Sequence, residues 1–143
     1  MAFEYPVLNA SFPASADLSS YQYCPVLLTT GGQINVCGST ITGYLSHMLG
    51  VLQDKTTAAG LECKVMLEGV TKVKVGSSSG LAVAIVPGAY LATTGYGVKP
   101  SSATANMNII GQALEGCATF GASTSVPQPY IAMLILRSGA VST

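Results

Sequence analysis

Between Leu61 and Val75 the chain alternates with a period of two. Odd positions read Leu61, Cys63, Val65, Leu67, Gly69, Thr71, Val73 and Val75, and even positions read Glu62, Lys64, Met66, Glu68, Val70, Lys72 and Lys74. Successive side chains of an extended chain point to opposite faces, so the pattern predicts a long β-strand with a core face and a charged outer face, kinked at Gly69. Five of the twelve charged residues lie on that outer face, which reads as a solvated sheet surface. Neither Lys72 nor Lys74 has a Tyr or Phe beside it on this face, so the aromatic and basic interleaving of a nucleic-acid-binding sheet is not expected there.

Other segments point to the same class of structure. YQYCPVLLT, from Tyr21, is rich in aromatic and β-branched residues and ends at the turn signal Thr30-Gly31-Gly32, after which QINVC reads as the returning strand. LAVAIVPGAYLATTGYGVKP predicts a hairpin made of a short buried strand, a Pro87-Gly88 turn and a second strand. YIAMLILR, from Tyr130, is nearly all apolar and predicts a strand buried on both sides. A single short helix is expected over Ser39 to Leu49, capped by Ser39, with Ile41, Leu45, Met48 and Leu49 on one face and Gly43 opposing it. Gly50-Val-Leu-Gln-Asp, followed by a loop and a strand, is echoed 61 positions later by Gly111-Gln-Ala-Leu-Glu, again followed by a loop and a strand. Two related hairpins closing one barrel-like sheet would produce this echo, and so would chance.

Residues 1 to 16 stand apart. Phe3, Tyr5 and Phe12 are interrupted by Pro6 and Pro13, which predicts an extended arm ahead of a single all-β domain over residues 17 to 143. Leaving a large apolar side chain in water forgoes about 1.5 to 3 kcal/mol of burial, so Phe3, Tyr5, Pro6, Val7, Leu8 and Phe12 are the candidate contact residues. The arm can pack on its own domain or dock on a neighbour.

Composition narrows the function. The chain has 143 residues, enough for one compact domain, and its charged share is only 8% against about 25% in an average soluble domain. Six acidic and six basic side chains cancel, which removes the basic excess that nucleic acid requires and leaves little self-repulsion between copies. Self-association is the expected consequence. No apolar run approaches the roughly 18 residues of a membrane-spanning helix, and the amino terminus lacks the pattern of a secretory signal.

Candidate chemistry is sparse. Cys24, Cys37, Cys63 and Cys117 contain no C-x-x-C and no metal-ligand spacing, and each sits among small or apolar neighbours, as a buried reduced thiol does. The single histidine, His47, has no acidic residue close in sequence, Glu62 and Glu68 would lie some 20 Å apart on one strand, and no glycine-rich segment ends in the Gly-Lys-Ser/Thr of a phosphate loop. No catalytic residue, metal or cofactor is expected. Asp54 and Glu115 occupy matching places in the two echoed units, where loop acids cap turns.

Asp17-Leu18-Ser19-Ser20-Tyr21, Gly50-Val51-Leu52-Gln53, Leu67-Glu68-Gly69-Val70-Thr71-Lys72-Val73 and Gly111-Gln112-Ala113-Leu114-Glu115 carry a resemblance, spread over residues 16 to 137. In these segments the chain resembles the decoration or cement proteins of tailed bacteriophage heads. The resemblance implies a compact β-barrel or β-sandwich, β-tulip-like, without cofactors. It further implies binding to the major capsid protein on the outer capsid surface, assembly into a homotrimer or other small homo-oligomer, and synthesis in the host cytoplasm. The arm and the stretch from Ser101 to Asn108 depart from the shorter members. The alternative is a carbohydrate- or host-binding β-domain of a phage fibre, for which Tyr90 and Tyr96 are the available exposed aromatics.

Overall fold

A computed structural model describes residues 4–37, 48–76, 80–94, 96–101, 109–121 and 129–136. The chain is all-β, and among the described residues the one helical element is a short 3-10 turn at Ser19–Tyr21. The described strands are β1 (Tyr5–Pro13), β2 (Pro25–Leu28), β3 (Ile34–Val36), β4 (Met48–Leu52), β5 (Glu62–Lys74), β6 (Gly80–Leu81), β7 (Tyr90–Thr94), β8 (Gly97–Pro100), β9 (Ile109–Ala113), β10 (Phe120–Gly121) and β11 (Tyr130–Ile135). Nine of them form one curled antiparallel sheet in the order β3-β2-β4-β5-β11-β9-β7-β8, with β1 also paired to β5, and β6 pairs with β10 in a separate ribbon.

Strand β5 is the spine. Its odd residues Cys63, Val65, Thr71 and Val73 are buried and Glu62, Lys64 and Glu68 are exposed, as alternation requires. Met66 is the exception at 2% exposure, because the curled sheet wraps a second core against the other face. At Gly69 the backbone turns to a φ of +127°, and a side chain there would run into the Tyr5 carbonyl and the Val7 amide of β1.

The register of the sheet shows that the described strands of the main sheet fall into two copies of one folding unit. In the first unit β1 pairs with the first half of β5, so that Ala10, Phe12 and Pro13 face Val65, Cys63 and Glu62. In the second, the latter half of β5 pairs with β11, so that Thr71, Val73 and Lys74 face Met133, Ile131 and Tyr130. The β2–β4 ladder joins Pro25 to Val51 and Val26 to Gly50 and then slips before Leu27; the β7–β9 ladder joins Tyr90 to Gln112 and Leu91 to Gly111 and slips before Ala92. Parallel bridges Ala14–Ile34 and Val75–Val98 occupy matching places. Even loop bonds repeat: Gln53 N–H donates to Lys64 O as Leu114 N–H does to Ala132 O, and Tyr23 N–H donates to Leu52 O as Gly88 N–H does to Ala113 O.

The two cores repeat as well. Ala14, Leu18, Val26, Ile34, Leu52, Cys63 and Val65 fill the first; their counterparts Val75, Ile85, Leu91, Val98, Ala113, Ile131 and Met133 all lie in the second. Strand β5 therefore ends one unit and begins the next, and Gly69 is the joint. The second core also takes in Val51 and Met66, outward residues of the first unit, which locks the units together.

Two expectations change. Of the helix predicted over Ser39 to Leu49, residues 39 to 47 lie outside the described residues, and Met48 and Leu49 open strand β4. The hairpin predicted over Leu81 to Pro100 forms instead from β7 and β8, turning between Thr94 and Gly97. Leu81 and Ile85 reach the core, but Val83 and Val86 are 62% and 61% exposed and find no sheet face to occupy, so that stretch runs as a loop touching Cys117 and Phe120.

Candidate binding surface

The described candidates of the arm separate into two roles. Phe12 is half-buried and packs on the first core. Tyr5, Pro6, Val7 and Leu8 are all exposed, Tyr5 at 70% and Val7 at 63%, although Tyr5, Pro6 and Leu8 are paired with β5. The ladder there is irregular, with register shifts between Pro6 and Leu8 and between Leu8 and Asn9. Phe3 lies outside the described residues.

Register carries the surface across the sheet. Tyr5 pairs with Val70, Val70 with Leu134, Leu134 with Gln112 and Gln112 with Tyr90, a row whose paired members share a face. Tyr5 and Tyr90, at 70% and 53% exposure, bound it; Val70, Leu134 and Gln112 between them are half-buried. Leu114, 38% exposed, and Val86 add apolar area on the second unit.

A second cluster lies along the seam between the units. The rings of Tyr21 and Tyr96 stand 4.9 Å apart and those of Tyr23 and Tyr130 5.5 Å apart, edge to face. Lys72 Nζ lies 5.6 Å above the Tyr23 ring, and Tyr130 pairs with Lys74. This overturns the expectation that Lys72 and Lys74 lack aromatic neighbours: Tyr23 arrives from a loop and Tyr130 from the last strand, and neither is near β5 in sequence. Gln53 Nε2 donates to Thr71 Oγ1 at 3.0 Å, and Lys74 N–H to Tyr23 O at 2.9 Å, so polar bonds cross the seam too.

Sequence reasoning missed Tyr23 as a special residue. Its φ of +64° makes it the one non-glycine left-handed residue among those described, and its counterpart in the second unit is Gly88, with φ +88°. The position demands a left-handed backbone in both units, and only the duplication could have announced it.

The loop acids, expected to cap turns, instead each bind a backbone N–H of a later strand. Asp54 Oδ2 accepts the Lys64 N–H at 2.7 Å and Glu115 Oε2 accepts the Ala132 N–H at 2.9 Å, matching bonds in matching units. Cys24, Cys37, Cys63 and Cys117 are free thiols, and burial pushes Cys24 up to about 11 and Cys37 to about 12. Burial, then the neighbouring Tyr96, raises the Tyr21 phenol. Among the described residues no group of three or more His, Cys, Asp or Glu could hold a metal, and no helix is long and apolar enough to cross a membrane. The chemistry on view is contact chemistry: tyrosines, aliphatic side chains and two lysines on a sheet poor in charge. No family model matches the chain, and no curated protein matches it in sequence.

Proposed function

We propose that the protein is a structural decoration protein of a phage capsid, binding the outer surface of the head and bridging major capsid subunits while contacting copies of itself. The observation that carries the reading is strand β1, in which Tyr5, Pro6, Val7 and Leu8 are held in extended form with their side chains in solvent. A chain with so few charges gains by covering such a strand, and a lattice of capsid subunits multiplies a modest patch through effective concentration. Aromatic side chains supply much contact area for little lost rotamer freedom, which suits Tyr5 and Tyr90 to this role.

The test is co-sedimentation with undecorated capsid shells of a tailed bacteriophage. Removal of residues 1 to 8 spares Phe12, which packs on the first core. It is expected to leave the unfolding midpoint unchanged and to weaken shell binding by at least about tenfold, the loss of roughly one buried apolar side chain. Full occupancy by the truncated chain overturns the role of the arm, and failure of the intact chain to bind overturns the reading itself. The alternative, a carbohydrate- or host-binding domain, draws on Tyr90 and on the Tyr21–Tyr96 pair, with Tyr96 41% exposed. A glycan-binding screen separates the two.

A further inference from the structure

The duplication supplies a template for an interface, because one chain already contains a contact between two units of the same design. On the first unit the residues that make it are Tyr21, Tyr23, Val51, Gln53 and Met66. Tyr21 packs on Tyr96, Tyr23 on Tyr130 and Lys72, and Gln53 bonds Thr71, while Val51 and Met66, 0% and 2% exposed, enter the second core. The register assigns their counterparts on the second unit: Val86, Gly88, Gln112, Leu114 and Leu134. These are uncovered. Val86 is 61% exposed, Leu114 38%, and Gln112 and Leu134 are half-buried where Val51 and Met66 are shut in. Three of the four side chains on this face are aliphatic, so it keeps the apolar character of the buried one.

We infer that this face of the second unit binds the first unit of another copy of the chain, repeating between molecules the contact that joins the units within one. The face it meets is the first unit's equivalent of the Thr71–Lys74 stretch, namely Ala10 to Pro13 on β1, so Leu114 of one copy lies against Ala10 of the next, as Gln53 lies against Thr71. The contact is head-to-tail, uses two different surfaces and propagates until a ring closes. It asks one adjustment. Tyr5 to Val7 of the arriving copy correspond to Met66 to Glu68, and so to the end of β11, and must leave β5 to avoid it. Their exposed side chains and bulged ladder make that displacement small, and it frees the arm to reach outward. The inference rests on the self-association half of the proposal above and is independent of capsid attachment.

The test uses the full chain with Cys117→Ser, so that the half-exposed thiol does not interfere. Ala10→Cys and Leu114→Cys together, treated with a short bifunctional thiol reagent, are expected to give covalent dimers and higher species on a denaturing gel, while each single variant stays at the mass of one chain. In sedimentation, Leu114→Arg is expected to shift the protein to a monomer with an unchanged unfolding midpoint, whereas Val83→Arg, at an exposed position off the face, changes nothing. Absence of cross-linking in the double variant, or equal cross-linking by Leu114→Cys alone, which would mean a symmetric face-to-face dimer, overturns the inference. So does an intact chain that sediments as a monomer at the highest attainable concentration. Shell binding without these cross-links defeats this inference alone; cross-links without shell binding defeat the capsid reading alone.

Discussion

The first and second units share their ladders, their slips and their core positions, yet they differ at several positions that face outward. Val26 and Leu91, Ile34 and Val98, or Val65 and Met133 exchange one apolar shape for another and leave the backbone bonds in place. Tyr21 against Val86, Tyr23 against Gly88 and Val51 against Gln112 change chemistry altogether. The first unit spends its outward face on the second, whose own outward face stays open at Val86 and Leu114. The fold is thus set by positions that tolerate any well-fitting hydrophobe, and the interactions by positions that the fold leaves free.

The sharpest way to break the likeness is at the glycines Gly50 and Gly111. A side chain at Gly50 would meet the Met66 carbonyl and lie 2.7 Å from Val65 Cγ1, and backbone cannot step aside. At Gly111 the nearest atoms are Met133 Sδ and Cγ, at 2.5 and 2.6 Å, in a flexible side chain that can turn aside, and the backbone atom close by, Leu134 O at 2.7 Å, lies farther off than the Met66 carbonyl does from Gly50. Gly50→Ala is therefore expected to cost about 3 kcal/mol or more and Gly111→Ala about 1 to 2 kcal/mol, read from denaturant unfolding. Equal costs would mean that the units do not pack as differently as their neighbours imply.

A smaller effect separates the units by pH. Cys24 and Cys37 of the first unit match Ala89 and Ser101 of the second, so both strongly shifted thiols lie on one side of the comparison. Burial raises each folded value to about 11 and about 12, above the unfolded value of about 8.5. The folded state holds its proton longer, so the stability these thiols contribute is complete below pH about 8.5 and is lost as pH rises toward 11 and 12. Between pH 7 and 9 each is expected to remove less than about 1 kcal/mol. Thermal unfolding of Cys24→Ala with Cys37→Ser, the residues of the second unit, should show a flatter decline; an unaltered slope would place the titration elsewhere.

The smallest effect sharpens the comparison at Tyr23. Tyr23→Gly installs the second unit's residue, relieving a left-handed backbone worth about 1 to 2 kcal/mol while losing the contact with Tyr130 and Lys72, about 0.5 to 1.5 kcal/mol. The two nearly cancel, so the unfolding free energy should move by less than about 1 kcal/mol. A large loss would mean that the tyrosine cluster holds the seam more firmly than ring contacts alone allow.

Much of this was legible beforehand. The strand from Glu62 to Lys74, the pairing of YQYCPVLLT with QINVC and the last strand follow from periodicity and turn residues, because alternation leaves a mark on every second position, although the burial expected on both sides of the last strand fails at Tyr130, 44% exposed, and at half-buried Leu134. The echo at Gly50 and Gly111 was visible only where the backbone forbids substitution, at a glycine and at a carboxylate bound to a neighbouring N–H. The rest of the duplication was hidden, since Leu52 and Ala113, or Cys63 and Ile131, satisfy the same burial with no residue in common.

By itself, then, the sequence determined a charge-poor all-β chain with an apolar first strand and no marked catalytic motif, since hydrophobic period and composition are local quantities. That β5 belongs to two units at once, that Tyr23 lies under Lys72 and Tyr130 beside Lys74, and that one unit's outward face is buried while its twin's is open were decided only in three dimensions. Each depends on which distant strands lie side by side, and the pairing register, unlike the period, is a property of the whole sheet.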